Sequence, residues 1–372
     1  MLAGAVRMGV RGALAKSVLL LAVACGSRSG LRVDEAGDAA PGLPDAGDGG
    51  TGGTGGSVSV PECPGPPGSV HVLDSGSMQP ARLGLVQEGV IWGEWHFSAR
   101  IALTPYSGGA SLTLSDDEPS VNGMASDGSQ VFFTVQGYGD HDGAVRAISA
   151  KGAPKSLLPG LSRPKGVAQF GTAVLSTSGA TADTKGSIVR TTKSGGVPSS
   201  VTLGLDVPFA VAAGDDGVFF TDLGAAPTLY RAGEQASDPP IPLHKSNLGF
   251  TRIAVGGGNV YAVRRWASED ELFTVKTTGG DTKMLMLTMQ EIADVTADDA
   301  GVFWLVRSRP GDPPEGTLYF APHTGFPADA LAHGSWRPSQ VEVDARSAFI
   351  AYFQPDGSGG ILQICRPDVP TK

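Results

Sequence analysis

From about residue 82 onward, short apolar runs alternate with polar, glycine-containing breaks, and the most apolar of these runs are near-copies of one another. They read QEGVIWGE from Gln87, DGSQVFFT from Asp127, FGTAVLST from Phe170, DDGVFFTD from Asp215, GGNVYAVR from Gly257, DAGVFWLV from Asp299 and ARSAFIAY from Ala345. Aligning Val90, Val131, Val174, Val218, Val260, Val302 and Ala348 gives spacings of 41, 43, 44, 42, 42 and 46 residues. A steady period near 43 residues is the mark of a repeat architecture, in which each unit buries its faces against its neighbours.

Each unit parses into four short strands. In the second they are NGMAS from Asn122, QVFFTVQ from Gln130, GAVRAIS from Gly143 and KSLLP from Lys155. Between the third and fourth strands stand turn residues that supply positive φ: KG here, and SGG, SGG and TGG in the first, third and fifth units. The second strands are nearly continuous in apolar residues instead of alternating, as expected when both faces of a strand are covered. Four-stranded units that stack face on face around a ring make a β-propeller. The pattern predicts an all-β, seven-bladed β-propeller over residues 61–372, with six blades as the alternative because the third and seventh units are weakest. The seventh unit ends at its third strand, GILQICRP from Gly360, and SVHVLD at residues 69–74 is available to complete it from the other end of the chain.

Composition agrees with this reading. Gly and Pro make up 81 of 372 residues, so turns are frequent and long helices few. The formal charge of −9 becomes −12 without residues 1–24, which carry Arg7, Arg11 and Lys16 and no acid. So acidic a surface repels a phosphate backbone, and nucleic acid is not an expected partner.

Residues 1–24 join a cationic stretch to an apolar run, Val18 to Ala24, too short to span a bilayer. The run ends LAVAC, with Ala24 directly before Cys25, and resembles a bacterial lipoprotein signal peptide. That resemblance implies that the Cys25 thiol receives a diacylglyceryl group and becomes the first residue after cleavage. It also implies lipid anchoring at the cell envelope, with Gly26 favouring the outer membrane over the inner. Residues 25–60 carry no aromatic residue and read as a flexible tether. Acylation of Cys25 leaves two of the three cysteines, Cys63 and Cys365, as an expected disulfide in an oxidising compartment. The bond would close a loop of some three hundred residues where the two ends meet.

Phe219, Phe220, Thr221 and Asp222 resemble the Tyr-Trp-Thr-Asp signature of the YWTD propeller family, with the two aromatic positions substituted. Phe132, Phe133 and Thr134 keep three positions of it. The resemblance implies the fold and a tendency to bind proteins through one face; it brings no catalytic residue.

Acids at Glu88, Asp127, Asp215, Asp216, Asp298, Asp299 and Asp344 fall in the turn after each first strand, where Asp and Gly cap their own backbone. The loops on the opposite face are longer and more varied, which is where a rigid scaffold carries binding residues. They hold Trp95, His96, Tyr138, His141, Arg264, Arg265, Trp266 and Arg307, and the blade connections add Trp336 and Arg337. Trp, Tyr and Arg are the residue types enriched in binding hot spots. These ten are the candidate ligand-binding residues. The sequence offers no metal or catalytic motif: Asp140, His141 and Asp142 are adjacent without the calcium-loop spacing, and no nucleophile motif is present. No cofactor and no metal is expected. The expectation is a monomeric, non-enzymatic module that binds a protein or glycan at the cell envelope and meets the membrane through the lipid on Cys25. The alternative is an exported hydrolase or lyase whose acid and base converge from separate blades.

Overall fold

The structure, a computed structural model, describes residues 62–94, 98–137, 139–233, 238–323 and 327–367. The leader at 1–24, Cys25 and the tether at 25–60 lie outside the described residues, as do Trp95, His96 and Tyr138.

Among the described residues, twenty-eight strands form seven antiparallel four-stranded sheets. Blade 1 comprises β2 (Pro80–Val86), β3 (Gly89–Glu94), β4 (Ala99–Pro105) and β5 (Leu112–Glu118). Blade 2 comprises β6 (Val121–Ser126), β7 (Val131–Val135), β8 (Gly143–Ile148) and β9 (Lys155–Leu161). Blade 3 comprises β10 (Val167–Phe170), β11 (Ala173–Ser178), β12 (Gly186–Thr192) and β13 (Ser199–Leu205). Blade 4 comprises β14 (Pro208–Gly214), β15 (Gly217–Asp222), β16 (Thr228–Arg231) and β17 (Ile241–Lys245). Blade 5 comprises β18 (Phe250–Gly256), β19 (Asn259–Arg265), β20 (Asp270–Lys276) and β21 (Lys283–Thr288). Blade 6 comprises β22 (Glu291–Ala297), β23 (Gly301–Arg307), β24 (Gly316–Pro322) and β25 (Asp329–Gly334).

Blade 7 runs β26 (Arg337–Val343), β27 (Ser347–Phe353) and β28 (Ser358–Cys365), and its outer strand is β1 (Val70–Met78) from the other end of the chain. β1 pairs antiparallel to β28, with Val70 opposite Ile364 and Met78 opposite Ser358. The first strands of successive blades contact one another in turn, and β26 contacts β2, so the ring is closed with seven blades. The third and seventh units are full members of it, and the six-bladed alternative is set aside.

The aligned residues Val90, Val131, Val174, Val218, Val260, Val302 and Ala348 all sit at the start of their blade's second strand. These strands lie between neighbouring sheets, and Trp92, Phe132, Phe133, Phe219, Phe220, Phe303, Trp304 and Phe349 are fully buried there. Alternate side chains along one strand therefore fill two different interblade gaps. Phe219 belongs to the cluster shared with blade 5 and Phe220 to the one shared with blade 3.

The turns at Asp127, Asp298 and Asp344 cap their own backbone. One carboxylate oxygen of Asp127 accepts from Ser129 N and Gln130 N, one of Asp298 from Ala300 N and Gly301 N, and one of Asp344 from Arg346 N and Ser347 N. Beyond that expectation, several turns reach the following blade. Asp127 pairs with Lys193 at 2.9 Å, Asp216 accepts from Thr277 at 2.8 Å, and Asp298 pairs with Arg366 at 2.5 Å.

Cys63 and Cys365 are joined as a disulfide across 302 residues. Gly68 N donates to Cys365 O and Cys365 N to Ser69 O, so backbone bonds hold the same junction.

Candidate ligand-binding face

The loops after each second strand and the connections between blades share one face of the ring, opposite the acidic turns. Alternation along β19 turns Arg264 and Arg265 to opposite sides of their sheet. Arg264 binds Glu271 through two nitrogens at 3.0 and 2.8 Å, donates toward His244 of blade 4 and lies over the Phe273 ring. Arg265 faces blade 6, bonding Asp270 at 3.0 Å and Glu291 at 2.9 Å. Arg307 also binds Glu291, through two nitrogens at 2.9 and 2.8 Å, and donates to Pro338 O of blade 7. Arg309 donates to Met289 O and lies 3.6 Å from Asp270.

Blades 5, 6 and 7 are thus laced by one network in which two buried carboxylates hold three guanidiniums. Burial acts to raise the Glu291 pKa, but Arg307 and then Arg265 outweigh it and bring it down to about 2. Beside this network Trp266 and Met289 are 43% and 73% exposed. Trp266 N donates to Glu269 O, which closes the short loop that presents the indole.

The remaining candidates are placed differently. Trp336 is 8% exposed and fills a slot between blades 6 and 7 that exists because residues 316 and 334 are glycines. A Cβ on Gly316 would stand 2.4 Å from the Trp336 ring, and one on Gly334 2.3 Å from its nitrogen. Arg337 reaches back to blade 6, donating to Arg309 O and Asp312 O. His141 belongs to blade 2, away from this group; it is exposed, adopts φ 67° and shares a 3.1 Å hydrogen bond with Ser162. The structure therefore brings Arg265, Trp266, Arg307 and Arg337 into one arc and leaves His141 outside it.

A second polar constellation was not among the candidates. Arg82, Arg252, Asp294 and Gln340 each follow the bulge in the first strand of their blade, at equivalent positions of the repeat. They form a belt between neighbouring blades around the inner ring. Arg252 donates to Asp294 at 3.1 Å, Asp294 accepts from Val341 N, Gln340 accepts from Leu83 N, and Arg82 donates to Asn122 O. Arg252 and Asp294 are 3% and 4% exposed. Burial lifts the Asp294 pKa to about 6 against the pull of Arg252. The usable signal was a polar residue at the same repeat position of otherwise apolar first strands, visible only once the bulge is placed. Nearby, Lys165 of blade 3 donates to Gln136, and its pKa is lowered by burial and then by Arg82 and Arg163.

Cys63, Cys365 and His71 present ligand-type atoms within 4.8 Å of one another, but both sulfurs are spent in the disulfide.

No protein-family model matches the chain, and no curated protein matches it in sequence. Solved structures do match it in shape. The β-propeller domain of the Trilobed protease from Pyrococcus furiosus, described as having an open velcro topology, superposes with a TM-score of 0.56 and 8% identity, covering 79% of this chain and 99% of that one. YCF48 from Cyanidioschyzon merolae gives 0.55 and 12% identity over 80% and 99%. A chain of the mitotic checkpoint complex gives 0.55 and 9% over 86% and 98%. At such identities the likeness is one of fold, and what the chain is similar to is the β-propeller.

Proposed function

We propose that the chain is an exported lipoprotein, anchored in the outer membrane through Cys25, whose monomeric propeller binds a protein or glycan partner. The face carrying Trp266 makes the contact. The observation that carries this reading is the pairing of that face's charges. Asp270, Glu271 and Glu291 are committed to Arg264, Arg265, Arg307 and Arg309, while Trp266 and Met289 stay exposed on the frame so formed. A rigid, internally paired frame beside an exposed tryptophan suits recognition, because little side-chain entropy is lost on contact. The likeness of Phe219 to Asp222 to the YWTD signature supports the same role, that family binding proteins through one face.

The hydrolase or lyase reading draws on the raised pKa of two buried carboxylates, Asp344, whose oxygen caps its own turn, and Asp294. Both oxygens of the Asp294 carboxylate are occupied by Arg252 and Val341 N, and the pair is closed to solvent, so it serves the ring.

Two measurements test the proposal. Cys25→Ala should move the protein from the membrane fraction to the soluble fraction; unchanged partitioning rejects the anchor. The same lipid-free protein, immobilised, is exposed to envelope proteins and glycans. Trp266→Ala should weaken the captured complex at least about tenfold, near 1.4 kcal/mol, with no change in melting temperature. Equal binding by the variant would remove this face from the interaction.

A further inference from the structure

The two ends of the domain meet at the outer edge of blade 7, held there by backbone as well as by sulfur. Gly68 N donates to Cys365 O and Cys365 N to Ser69 O, while Gly65 N donates to Cys63 O and Ser69 N to Pro66 O. These bonds fold residues 63–69 back onto the end of β28, and none of them uses a sulfur atom. Opening the disulfide therefore leaves the Cys63 and Cys365 thiols side by side, on a backbone that sets their Cα atoms 5.4 Å apart.

His71 stands at the same place. It lies opposite Gln363 in the β1–β28 ladder, with a ring nitrogen within 4.8 Å of both sulfurs. Its Nε2 is buried and makes no hydrogen bond among the described residues. The other described histidines are engaged: His141 with Ser162, His244 with Arg264, His323 with Tyr261 and Asp298 O, and His333 with Thr317. A buried nitrogen without a partner is disfavoured, and bound ions are among the things that satisfy such an atom. The Cys63 segment can approach the ring because residue 65 is glycine. A Cβ there would stand 2.6 Å from Ser69 Oγ and 3.4 Å from His71 Nε2.

Two sulfurs and an imidazole nitrogen form a donor set that suits zinc. With zinc–sulfur bonds of about 2.3 Å and a zinc–nitrogen bond of about 2.0 Å, a tetrahedral ion holds its ligand atoms about 3.5–3.8 Å apart. The three atoms here already lie within 4.8 Å of one another, so small side-chain rotations suffice once the sulfurs are freed. Among the described residues no other three His, Cys, Asp or Glu side chains form such a group. Cys63 and His71 are partly exposed and Cys365 is buried, so an ion can enter from the Cys63 side and keep a water as its fourth ligand.

We propose that reduction turns this closure into a zinc site, with Cys63 Sγ, Cys365 Sγ and His71 Nε2 as its ligands. A dithiol gives the disulfide two electrons and two protons and itself closes to a disulfide. Zn²⁺ then displaces the two thiol protons and binds two thiolates and the neutral imidazole, whose Nδ1 keeps its proton. The ring of blades is thus held shut in both redox states, by a covalent bond when oxidised and by the metal when reduced. The site depends neither on the Trp266 face nor on the lipid at Cys25.

Cobalt titration of the full chain carrying Cys25→Ala, which leaves Cys63 and Cys365 as its two cysteines, tests the proposal. After reduction with a phosphine, the protein should take up one Co²⁺ with a sulfur-to-cobalt charge-transfer band and the intense visible bands of a tetrahedral site, and Zn²⁺ should displace it. The oxidised protein should show no such bands. His71→Ala should weaken binding to the reduced protein at least about tenfold, with the melting temperature of the oxidised form unchanged. Zn²⁺ should also raise the melting temperature of the reduced parent chain, and less so that of the variant. Absence of the charge-transfer band up to about 100 μM cobalt, the same bands in the oxidised protein, or equal affinity in the His71 variant overturns the assignment. Trp266→Ala should leave the cobalt bands intact, so failure here is distinct from failure of the binding face.

Discussion

Glu291 shows how a single residue can hold two blades. Its carboxylate takes both the Arg265 guanidinium of blade 5 and the Arg307 guanidinium of its own blade, the latter also bonding blade 7. Desolvation works against so buried an acid, and the two arginines overcome it, leaving the pKa at about 2. A folded-state pKa below the unfolded value means that stability is present above the unfolded pKa and lost as pH falls through the folded one. The window therefore runs from about 4.5 down to about 2, and the interaction contributes on the order of 3 kcal/mol at neutral pH. Asp294 acts oppositely. Its pKa is raised to about 6, so the folded state keeps a proton that the unfolded state has lost, and stability falls as pH rises from about 4 to 6. Glu291→Gln should cost on the order of 3 kcal/mol in denaturant unfolding at pH 7, and this cost should shrink toward zero near pH 2. A cost independent of pH would mean that Glu291 acts by packing alone.

Among the elements, the second strands were the most legible. Their near-continuous apolar runs and regular spacing located every blade, because burial on both faces imposes the same pattern in each unit. The first strands were harder. All but β10 are bulged, and the bulge leaves a backbone amide outside the ladder; in blade 3 the corresponding amide, Gly166 N, lies just before the strand. Blades 2, 3 and 4 meet that amide with the same threonine position: Thr134 accepts from Gly123 N, Thr177 from Gly166 N and Thr221 from Ala210 N. The Thr of the YWTD-like signature thus has a local structural task, and Thr177 shares it although its unit keeps none of the aromatics. Asp222, the last residue of that signature, accepts from Asp206 N and Val207 N and so fixes the connection into its blade. The face was less legible still. Counting Trp and Arg in the variable loops found Trp266 and Arg265, but could not tell an arginine open to a ligand from one already held. Arg265 meets Glu291 and Arg307 meets Pro338 O only because blades lie side by side, and such pairings have no sequence period. Trp336 was indistinguishable from Trp266 until the glycines at 316 and 334 were seen to make room for it.

For the whole molecule the decisive feature is where the ring is shut. Six blades are each made from one continuous stretch, whereas blade 7 depends on β1 crossing from the start of the domain to pair with β28. That pairing is irregular, with register shifts between Val72 and Asp74 and between Asp74 and Ser77, so its ladder alone is a weak latch. The disulfide lies at the end of the same strand pair, where Gly68 N and Cys365 N already bond across. Cross-linking residues 302 apart restricts the unfolded chain far more than the folded one, by roughly 5 kcal/mol in the chain-entropy treatment. Changing both Cys63→Ser and Cys365→Ser should therefore lower the melting temperature by several degrees and speed hydrogen exchange first at the β1 amides. Unchanged exchange in β1 would mean that the blade is held by its buried contacts, chiefly Leu73 against Ile361 and Tyr106, and that the covalent bond only records the meeting of the two ends.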